Sequence, residues 1–474
     1  MLLRELHGQL RAAILDGRLK PGVRLPATRE LAATMRVSRN TAVAAYDLLL
    51  SEGYLEARRG SGTFVANLSS RHPARKAATG ALPNRVEGRA DDRLAAMWRA
   101  PPLPDEGPPR VGLRYDFRLG APDKSKVAFD VWRRLSARAL RSLSSQPLVD
   151  AEPHGRLALR EAIATYVSFA RAVSCRADDV TVTAGAQQAL DLLVRILVTP
   201  GKTVVAMEDP GFLRMRSVLE AAGAKVVPVP VDREGLVVER VPREARVIYV
   251  TPSHQFPLGM AMSLQRRAEL LAFAKARHAV ILEDDYDSEF RFGGRPLDAL
   301  QSLDTDGSVI YIGTFSKSLF PALRLGYVVA PPWAHAALGA AKQLAVGDSA
   351  LLAQETLAAF IAEGHLARHV RKMRRVYAAR REAMLDTFES TLGAWLDPVP
   401  THAGLHLAAY AKGRLDADAI VRQAWQAGVG TYSLSRYYAG TTRRQGLVFG
   451  YGATPEREIV AGLKLLARVF AHRD

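Results

Sequence analysis

The sequence predicts an α/β protein with a mostly parallel sheet, headed by a small helical unit and separated from it by a linker. Three observations carry this reading. From Arg114 onward, short β-branched runs alternate with longer helical stretches, as strands joined by helical crossovers do. Met1 to about Ala66 instead shows helical periodicity and two glycine-marked turns. Between them, Asn67 to about Leu113 is rich in Pro, Arg, Ala and Gly and includes Pro101-Pro102-Leu103-Pro104 and Pro108-Pro109. It sustains no apolar period, so only a short helix around Asp92–Trp98 is expected to interrupt it. The expected division is therefore 1–66, 67–113 and 114–474, with no internal repeat.

In the first region, Leu3, Leu6, Leu10 and Ile14 share one face of a helix that Asp16-Gly17 ends, and Lys20-Pro21-Gly22 makes a turn. A second helix is expected over Thr28–Met35, with Leu31 and Met35 turned inward. Arg36-Val37 is a tight turn, and Ser38 is a good N-cap for a third helix running to about Ser51. Val43, Tyr46, Leu49 and Leu50 form its apolar side. Tyr54–Ala57 and Thr63–Ala66 read as strands joined by Arg58-Arg59-Gly60-Ser61-Gly62. The polar, basic first turn of the third helix suits entry into a major groove amino end first, with Arg39, Asn40 and Thr41 against base edges or phosphates. The hairpin tip would set Arg58 and Arg59 against the DNA backbone or minor groove, its glycines allowing close approach. A helical protein-docking module fits the same periodicity.

Arg24-Leu25-Pro26, Arg29-Glu30-Leu31-Ala32, Val37-Ser38-Arg39-Asn40-Thr41, Glu52-Gly53-Tyr54-Leu55 and Gly60-Ser61-Gly62-Thr63-Phe64-Val65 together resemble the winged helix-turn-helix of GntR-type regulators. The resemblance implies a double-stranded DNA operator as partner, contacted by Arg29, Ser38, Arg39, Asn40, Thr41, Arg58, Arg59 and Gly60. Ala27 stands where that family often has a capping serine, so the second helix is expected to be capped by Thr28 one residue later or to start frayed.

A formal charge of +17 and a pI near 10.1 favour a polyanionic partner, although arginine spread thinly over a surface gives the same totals. No apolar run approaches the ~20 residues that span a bilayer. Met1 to Gln9 carries Arg4 and Glu5 and lacks the apolar core of a signal peptide, and the single Cys175 has no internal disulfide partner. A cytoplasmic location is expected.

In the second region, Thr181-Val182-Thr183 is a short strand, and Ala184 to Gln188 opens a helix whose Ala186 and Gln187 amides suit a phosphate. Ala279 to Leu282 reads as a buried strand ending in Glu283-Asp284-Asp285-Tyr286. Three acids after a buried strand are costly unless one meets a cation, and a pyridinium would serve. Ser308 to Ile312 is another apolar strand, running into Gly313-Thr314-Phe315-Ser316-Lys317. A lysine desolvated there has a lowered pKa suited to imine chemistry, and Arg324 could give a phosphate a fixed positive charge. A Schiff-base lysine, a carboxylate for the ring nitrogen, phosphate donors and a flat cover are what pyridoxal phosphate requires, and strand carboxyl ends are where a sheet of this class holds them. Taken singly, each residue is an ordinary surface group; the combination carries the reading.

That combination resembles fold-type I aminotransferases over roughly Tyr115 to Arg468, and the fused order resembles the MocR/GabR regulators. The matching runs are Glu152-Pro153-His154-Gly155, Thr183 to Leu190, Glu208-Asp209-Pro210-Gly211-Phe212, Thr251 to Pro257, Glu283 to Phe290 and Gly313 to Ser318. The resemblance implies a large domain with a mostly parallel sheet, a small carboxy-terminal subdomain, pyridoxal 5'-phosphate as cofactor and a homodimer. It makes Lys317 the Schiff-base lysine and Asp284 the partner of the pyridine nitrogen, with Tyr286 near the ring hydroxyl and Phe212 over the ring face. Ala186, Gln187, Ser316 and Arg324 would form the phosphate cup, and no metal is implied.

Two departures bear on function. Aminotransferases usually carry an asparagine where this chain has Phe256, before Pro257-Leu258-Gly259. They also carry a late carboxylate-binding arginine in a strand that here reads Gly446-Leu447-Val448-Phe449-Gly450-Tyr451-Gly452. Arg436 and Arg214 are the candidates to replace it as effector ligands. The expected function is a cofactor-dependent transcription regulator, not an enzyme, that senses a small amine or amino acid by external aldimine formation. The alternatives are a regulator of pyridoxal phosphate supply and a working aminotransferase with a vestigial DNA-binding unit. Fusion to a DNA reader and both departures favour regulation over turnover.

Overall fold

The computed structural model describes residues 2–58, 60–67, 93–94, 96–99, 107, 112–145, 152–293, 297–347, 350–441 and 443–472. Arg59 and most of the expected linker lie outside the described residues. The chain divides into two units, Met1–Arg89 and Ala90–Asp474.

The first unit is built from α1 (Leu2–Leu15), α2 (Thr28–Thr34), α3 (Arg39–Ser51), β1 (Leu55–Arg58) and β2 (Gly62–Val65). Leu6 and Ile14 from α1, Leu31 from α2, and Ala42, Ala45, Tyr46 and Leu49 from α3 form its core. Ser38 caps α3, its hydroxyl accepting from the Thr41 amide at 3.1 Å. Ala27 stands at the N-cap of α2 and makes no side-chain cap bond, so that helix lacks the stop seen at Ser38. Met35 does not turn inward: α2 ends at Thr34, Met35 is its C-cap, and the side chain is 39% exposed. The hairpin pairs Leu55 with Val65 and Arg58 with Gly62, and Leu25 donates to Thr63 O at 2.8 Å, laying the segment before α2 beside β2. Gly62 (φ +114°) closes the turn so near the Arg24 guanidinium that an added Cβ would stand 2.9 Å from Arg24 Nε.

The second unit has α4 (Ala96–Arg99), shorter than the expected 92–98 helix, then β3 (Tyr115–Asp116), α5 (Phe129–Ser145), α6 (Leu157–Arg171), β4 (Val180–Thr183) and α7 (Ala186–Leu197). Next come β5 (Val204–Asp209), α8 (Leu213–Ala221), β6 (Lys225–Asp232), β7 (Gly235–Leu236), β8 (Ala245–Val250), α9 (Leu264–Arg277), β9 (Val280–Asp285), β10 (Val309–Thr314) and β11 (Gly326–Val329). The sheet order is β4-β11-β10-β9-β8-β5-β6-β7. Strands β6, β5, β8, β9 and β10 run parallel, while β11 is antiparallel to both its neighbours and β7 to β6.

Strands covered on both faces read as continuous apolar runs, and β8 shows why. Val247 and Tyr249 face α7, α8 and α10 (Pro332–Val346), whereas Ile248 and Val250 face α9. The chain continues through α11 (Leu351–Ala362) and α12 (His365–Leu392) to β12 (Leu396–Pro398) and β13 (His406–Ala411). It ends with α13 (Ala417–Gln426), β14 (Val429–Gly430), β15 (Tyr432–Ser433), β16 (Gly446–Gly450) and α14 (Glu456–Ala471). An antiparallel sheet, β12-β13-β16-β15, buries Leu407, Ala409, Leu447 and Phe449 against α12, α13 and α14. Strand β3 pairs with β14, tying the start of the unit to its carboxy-terminal part.

Ser38→Ala should remove the α3 cap and weaken that helix by about 1 kcal/mol. Amide exchange across α3 should then be about fivefold faster in the full-length protein; unchanged exchange would mean the cap contributes nothing there.

Candidate functional site

A cavity of about 410 Å³ opens where β5, β8, β9 and β10 end, the crevice that sheets of this class offer to ligands. Its walls include Lys317, Asp284, Tyr286, Phe212, Ala186, Gln187, Ser316, Arg324, Arg214 and Arg436. The fold thus brings all the pocket candidates named from sequence to one place. Tyr249, Thr251, His406, Tyr432, Tyr437, Leu119 and Gly120 also line it and were not singled out from sequence.

The acid triplet at the end of β9 shows how each wall residue is set. Glu283 accepts from the Leu300 and Gln301 amides at 2.8 and 2.9 Å. Asp285 accepts from Arg171 Nε at 2.7 Å and from the Tyr311 hydroxyl at 2.6 Å. The cation expected for one of the three is therefore in part Arg171, a residue not read as functional from sequence. Among the described residues, the Asp284 side chain accepts only from the Tyr249 hydroxyl, at 2.6 Å through Oδ2, and its Oδ1 is buried without a hydrogen-bond partner. Burial pushes the Asp284 carboxyl up to about 6, against the pull of Tyr249. A buried carboxylate with an open oxygen fits a ring N–H.

Lys317 follows β10 and donates from Nζ to Gly120 O at 2.7 Å. Burial lowers its pKa, with Asp287 and Asp284 opposing and Arg214 assisting. Gly120 is in the left-handed region at φ +62°, and a Cβ there would stand 2.4 Å from Lys317 Nζ, so a larger residue would be strained and would displace the lysine tip.

At the opposite wall, α7 begins at Gly185 with no side-chain cap, leaving its amino end for an anion. Arg324, in the left-handed region at φ +53°, has its guanidinium beside Gly185. The Ser316 amide donates to Thr314 Oγ1 at 3.2 Å, which fixes the loop carrying the Ser316 hydroxyl. This donor set fits a phosphate dianion.

Phe256 packs edge-on to Phe212, Tyr286, His406 and Tyr437, with ring centroids 5.3–6.1 Å apart. It brings no polar atom to the wall. Arg436 lies against the rings of Tyr432 and Tyr437 at 5.6 and 5.7 Å. Among the described residues, His254, Asp287 and His406 also converge, their ligand-type atoms within 4.8 Å.

On the first unit, Ser38, Arg39 and Asn40 are exposed at the first turn of α3, and Arg29 is exposed on α2. Thr41 is half-buried and its hydroxyl is bonded to that of Ser38 at 2.8 Å, so reach from this turn comes chiefly from Arg39 and Asn40. Arg58 is held by Glu56 at 2.5 Å and lies over the Phe64 ring at 4.6 Å. Gly60 is exposed at the hairpin tip with φ +77°, and Arg59 lies outside the described residues. No described helix is long and apolar enough to cross a membrane.

The aminotransferase class I and II family matches residues 124–425, and the gntR family of bacterial regulatory proteins matches residues 2–65. The chain is 39% identical to the probable rhizopine catabolism regulatory protein MocR of Rhizobium meliloti, over 98% of this chain and 93% of that one. It is 32% identical to the pyridoxine biosynthesis transcriptional regulator PdxR of Corynebacterium glutamicum, over 95% and 92%. The second unit is similar to the α-aminoadipate aminotransferase LysN of Thermus thermophilus, solved with N-(5'-phosphopyridoxyl)-L-leucine. That likeness has a TM-score of 0.70 at 27% identity and covers 76% of this chain and 93% of that one.

A carboxyl whose folded pKa is raised stabilises the fold fully below its unfolded value and loses that contribution as pH rises through the folded one. For Asp284 the loss runs from about pH 4 to above its folded value of about 6. In cofactor-free protein, Asp284→Asn should match the wild type near pH 4 and exceed it near neutrality by on the order of 2 kcal/mol, read from denaturant midpoints. Parallel pH profiles would show that the carboxylate is already compensated.

Proposed function

The chain belongs to the MocR-type transcription regulators, in which a GntR-type DNA-binding domain precedes an aminotransferase class I and II domain, and on that premise we propose that its cavity takes pyridoxal 5'-phosphate and reports a small amine or amino acid to the DNA reader. One observation carries the cofactor assignment: Lys317 and an Asp284 with an unpartnered oxygen share a cavity with the uncapped start of α7 and Arg324. The phosphopyridoxyl amino acid held by the similar aminotransferase supports it.

When bound, pyridoxal phosphate supplies an aldehyde that condenses reversibly with primary amines. Lys317 would hold that aldehyde, its lowered pKa keeping the amine neutral and nucleophilic nearer physiological pH. Asp284 would keep the ring nitrogen protonated, and Tyr286 would meet the ring hydroxyl. The Ala186 and Gln187 amides, Ser316 and Arg324 would hold the phosphate, and Phe212 would cover the ring. Arg436 and Arg214 reach the same cavity and would take the carboxylate of an amino-acid effector. An apolar Phe256 and a β16 without arginine favour sensing over turnover.

An effector that binds one arrangement of the protein better than another shifts how the regulator sits on its operator. The working form would be a homodimer in the cytoplasm, with paired α3 helices on a repeated site. The exposed Leu344 and Val346 on α10 and Leu351 and Leu352 on α11 give a second copy an apolar surface. A second reading, in which pyridoxal phosphate is itself the signal, is favoured by the likeness to a pyridoxine biosynthesis regulator. Arg214 and Arg436, in the cavity beside the Arg324 assigned to the phosphate, favour an amino-acid effector.

Titrating amines and the cofactor in parallel against visible absorbance and operator binding separates the readings. A spectral shift with an amine, coupled to changed operator affinity and without turnover, supports amine sensing; affinity that follows the cofactor alone supports the second reading, and sustained transamination supports an enzyme. Lys317→Ala should lose the borohydride-fixable colour, and a variant that kept it would move the anchor to another lysine. Arg39→Ala should weaken operator binding about tenfold or more while leaving the colour unchanged; unchanged affinity would remove α3 from the interface.

A further inference from the structure

Behind Tyr286 lies a buried pair that the roles assigned above leave unused. His254 Nδ1 stands 2.9 Å from Asp287 Oδ1 and 3.2 Å from Oδ2, with side chains 1% and 2% exposed. The Tyr286 hydroxyl oxygen is 3.0 Å from the same Nδ1 and 3.0 Å from His254 O. Asp287 Oδ2 also accepts from the Leu405 amide at 3.2 Å, which anchors the carboxylate to the segment leading into β13. We propose that His254, oriented by Asp287, is the positioning residue that pins the Tyr286 phenol at the ring oxygen of the cofactor. The proposal rests on the cofactor reading above.

Proton accounting leads to this assignment. A carboxylate only accepts, so the hydrogen between His254 and Asp287 sits on Nδ1. That N–H also faces the phenol oxygen, while the phenol hydrogen turns toward His254 O. The Tyr286 oxygen is therefore held as an acceptor, and its own hydrogen can swing into the cavity without releasing the side chain. His254 Nε2 is buried with no hydrogen-bond partner among the described residues, and Gly404 lies so close that a Cβ there would stand 1.8 Å from the imidazole Cε1. With no acceptor facing Nε2 among the described residues and a carboxylate facing Nδ1, the hydrogen of the pair is placed at Nδ1.

The other charged or titratable groups around the pair include Asp284 and Asp285 from β9, Glu208 from β5, Glu289, Lys317 after β10, His406 from β13 and Tyr451. His406 hydrogen-bonds Pro257 O at 3.1 Å, and its ring centroid is 4.7 Å from that of His254. Phe256 offers the ring oxygen nothing, so the hold falls to Tyr286 and what stands behind it.

The test is a pH titration of the visible absorbance of cofactor-loaded, full-length protein. A ring oxygen that loses a hydrogen-bond donor keeps its proton to higher pH. Tyr286→Phe, His254→Gln and Asp287→Asn should each raise the midpoint by about one pH unit, a tenfold change in the acid equilibrium. The Tyr286→Phe/Asp287→Asn double variant should go no higher than Tyr286→Phe alone, which a merely structural role would not produce. Unmoved midpoints in coloured His254→Gln and Asp287→Asn protein, or an additive double variant, overturn the pairing alone. Wild-type protein that takes up no colour overturns the cofactor reading and the pairing with it. A further measurement needs no variant to fold. In cofactor-free wild-type protein, ¹⁵N-histidine spectra should show one buried imidazole carrying its hydrogen on Nδ1, whereas rings with hydrogen only at Nε2 overturn the proposal.

Discussion

Three consecutive buried carboxylates at the end of one central strand are the constraint around which the second unit is arranged. Glu283, Asp284 and Asp285 lie on β9, flanked by β8 and β10, where water is excluded from both sheet faces. Each acid needs its own answer, because desolvated charge is tolerated only when paired or hydrogen-bonded. Alternation along the strand sends them to different surroundings. Glu283 is answered by backbone amides, Asp285 by Arg171 reaching in from α6, and Asp284 by a single tyrosine. The incomplete third answer is what makes the cavity chemically specific.

The architecture was largely legible in the sequence because it is written in periods. Helical spacing in α1 and α3, the N-cap at Ser38 and the glycine-bounded hairpin are local signals, and the structure places them within a residue or two of where they were read. The buried strands of the large sheet were legible as continuous apolar runs ending in polar loops, and those loops carry the pocket candidates. Met35 was misread because apolar spacing continues one residue past the point where α2 stops. Arg171 was missed because a helical arginine in Phe169-Ala170-Arg171 looks like any surface cation until the fold brings it 2.7 Å from Asp285. Tyr249 was signalled weakly, as an aromatic hydroxyl inside the apolar run Val247 to Val250. Gly120 and His406 reach the cavity from separate segments, and His254 reaches Tyr286 and His406 from a third; these meetings are properties of topology with no local trace.

The regulator keeps an aminotransferase-type frame and replaces polar groups at its rim. Phe256 lies in a ring of aromatics where the resemblance calls for an amide, and β16 presents glycine and apolar residues where it calls for a guanidinium. Aromatic packing of this kind stiffens the wall, and the polar work moves to groups mounted behind it or on neighbouring loops. Arg436, set against the rings of Tyr432 and Tyr437, is the guanidinium proposed for that part.

The bond between Lys317 Nζ and Gly120 O gives the lysine a mechanical neighbour. The segment around β3 is stitched down by Phe117 N to Gly430 O at 2.9 Å and Gly450 N to Phe117 O at 2.8 Å. Three residues later the same strand of chain crosses the lysine. An amine nitrogen engaged elsewhere could not keep donating to Gly120 as it does here, so a change of bonding at that one atom would free a peptide carbonyl inside the second unit.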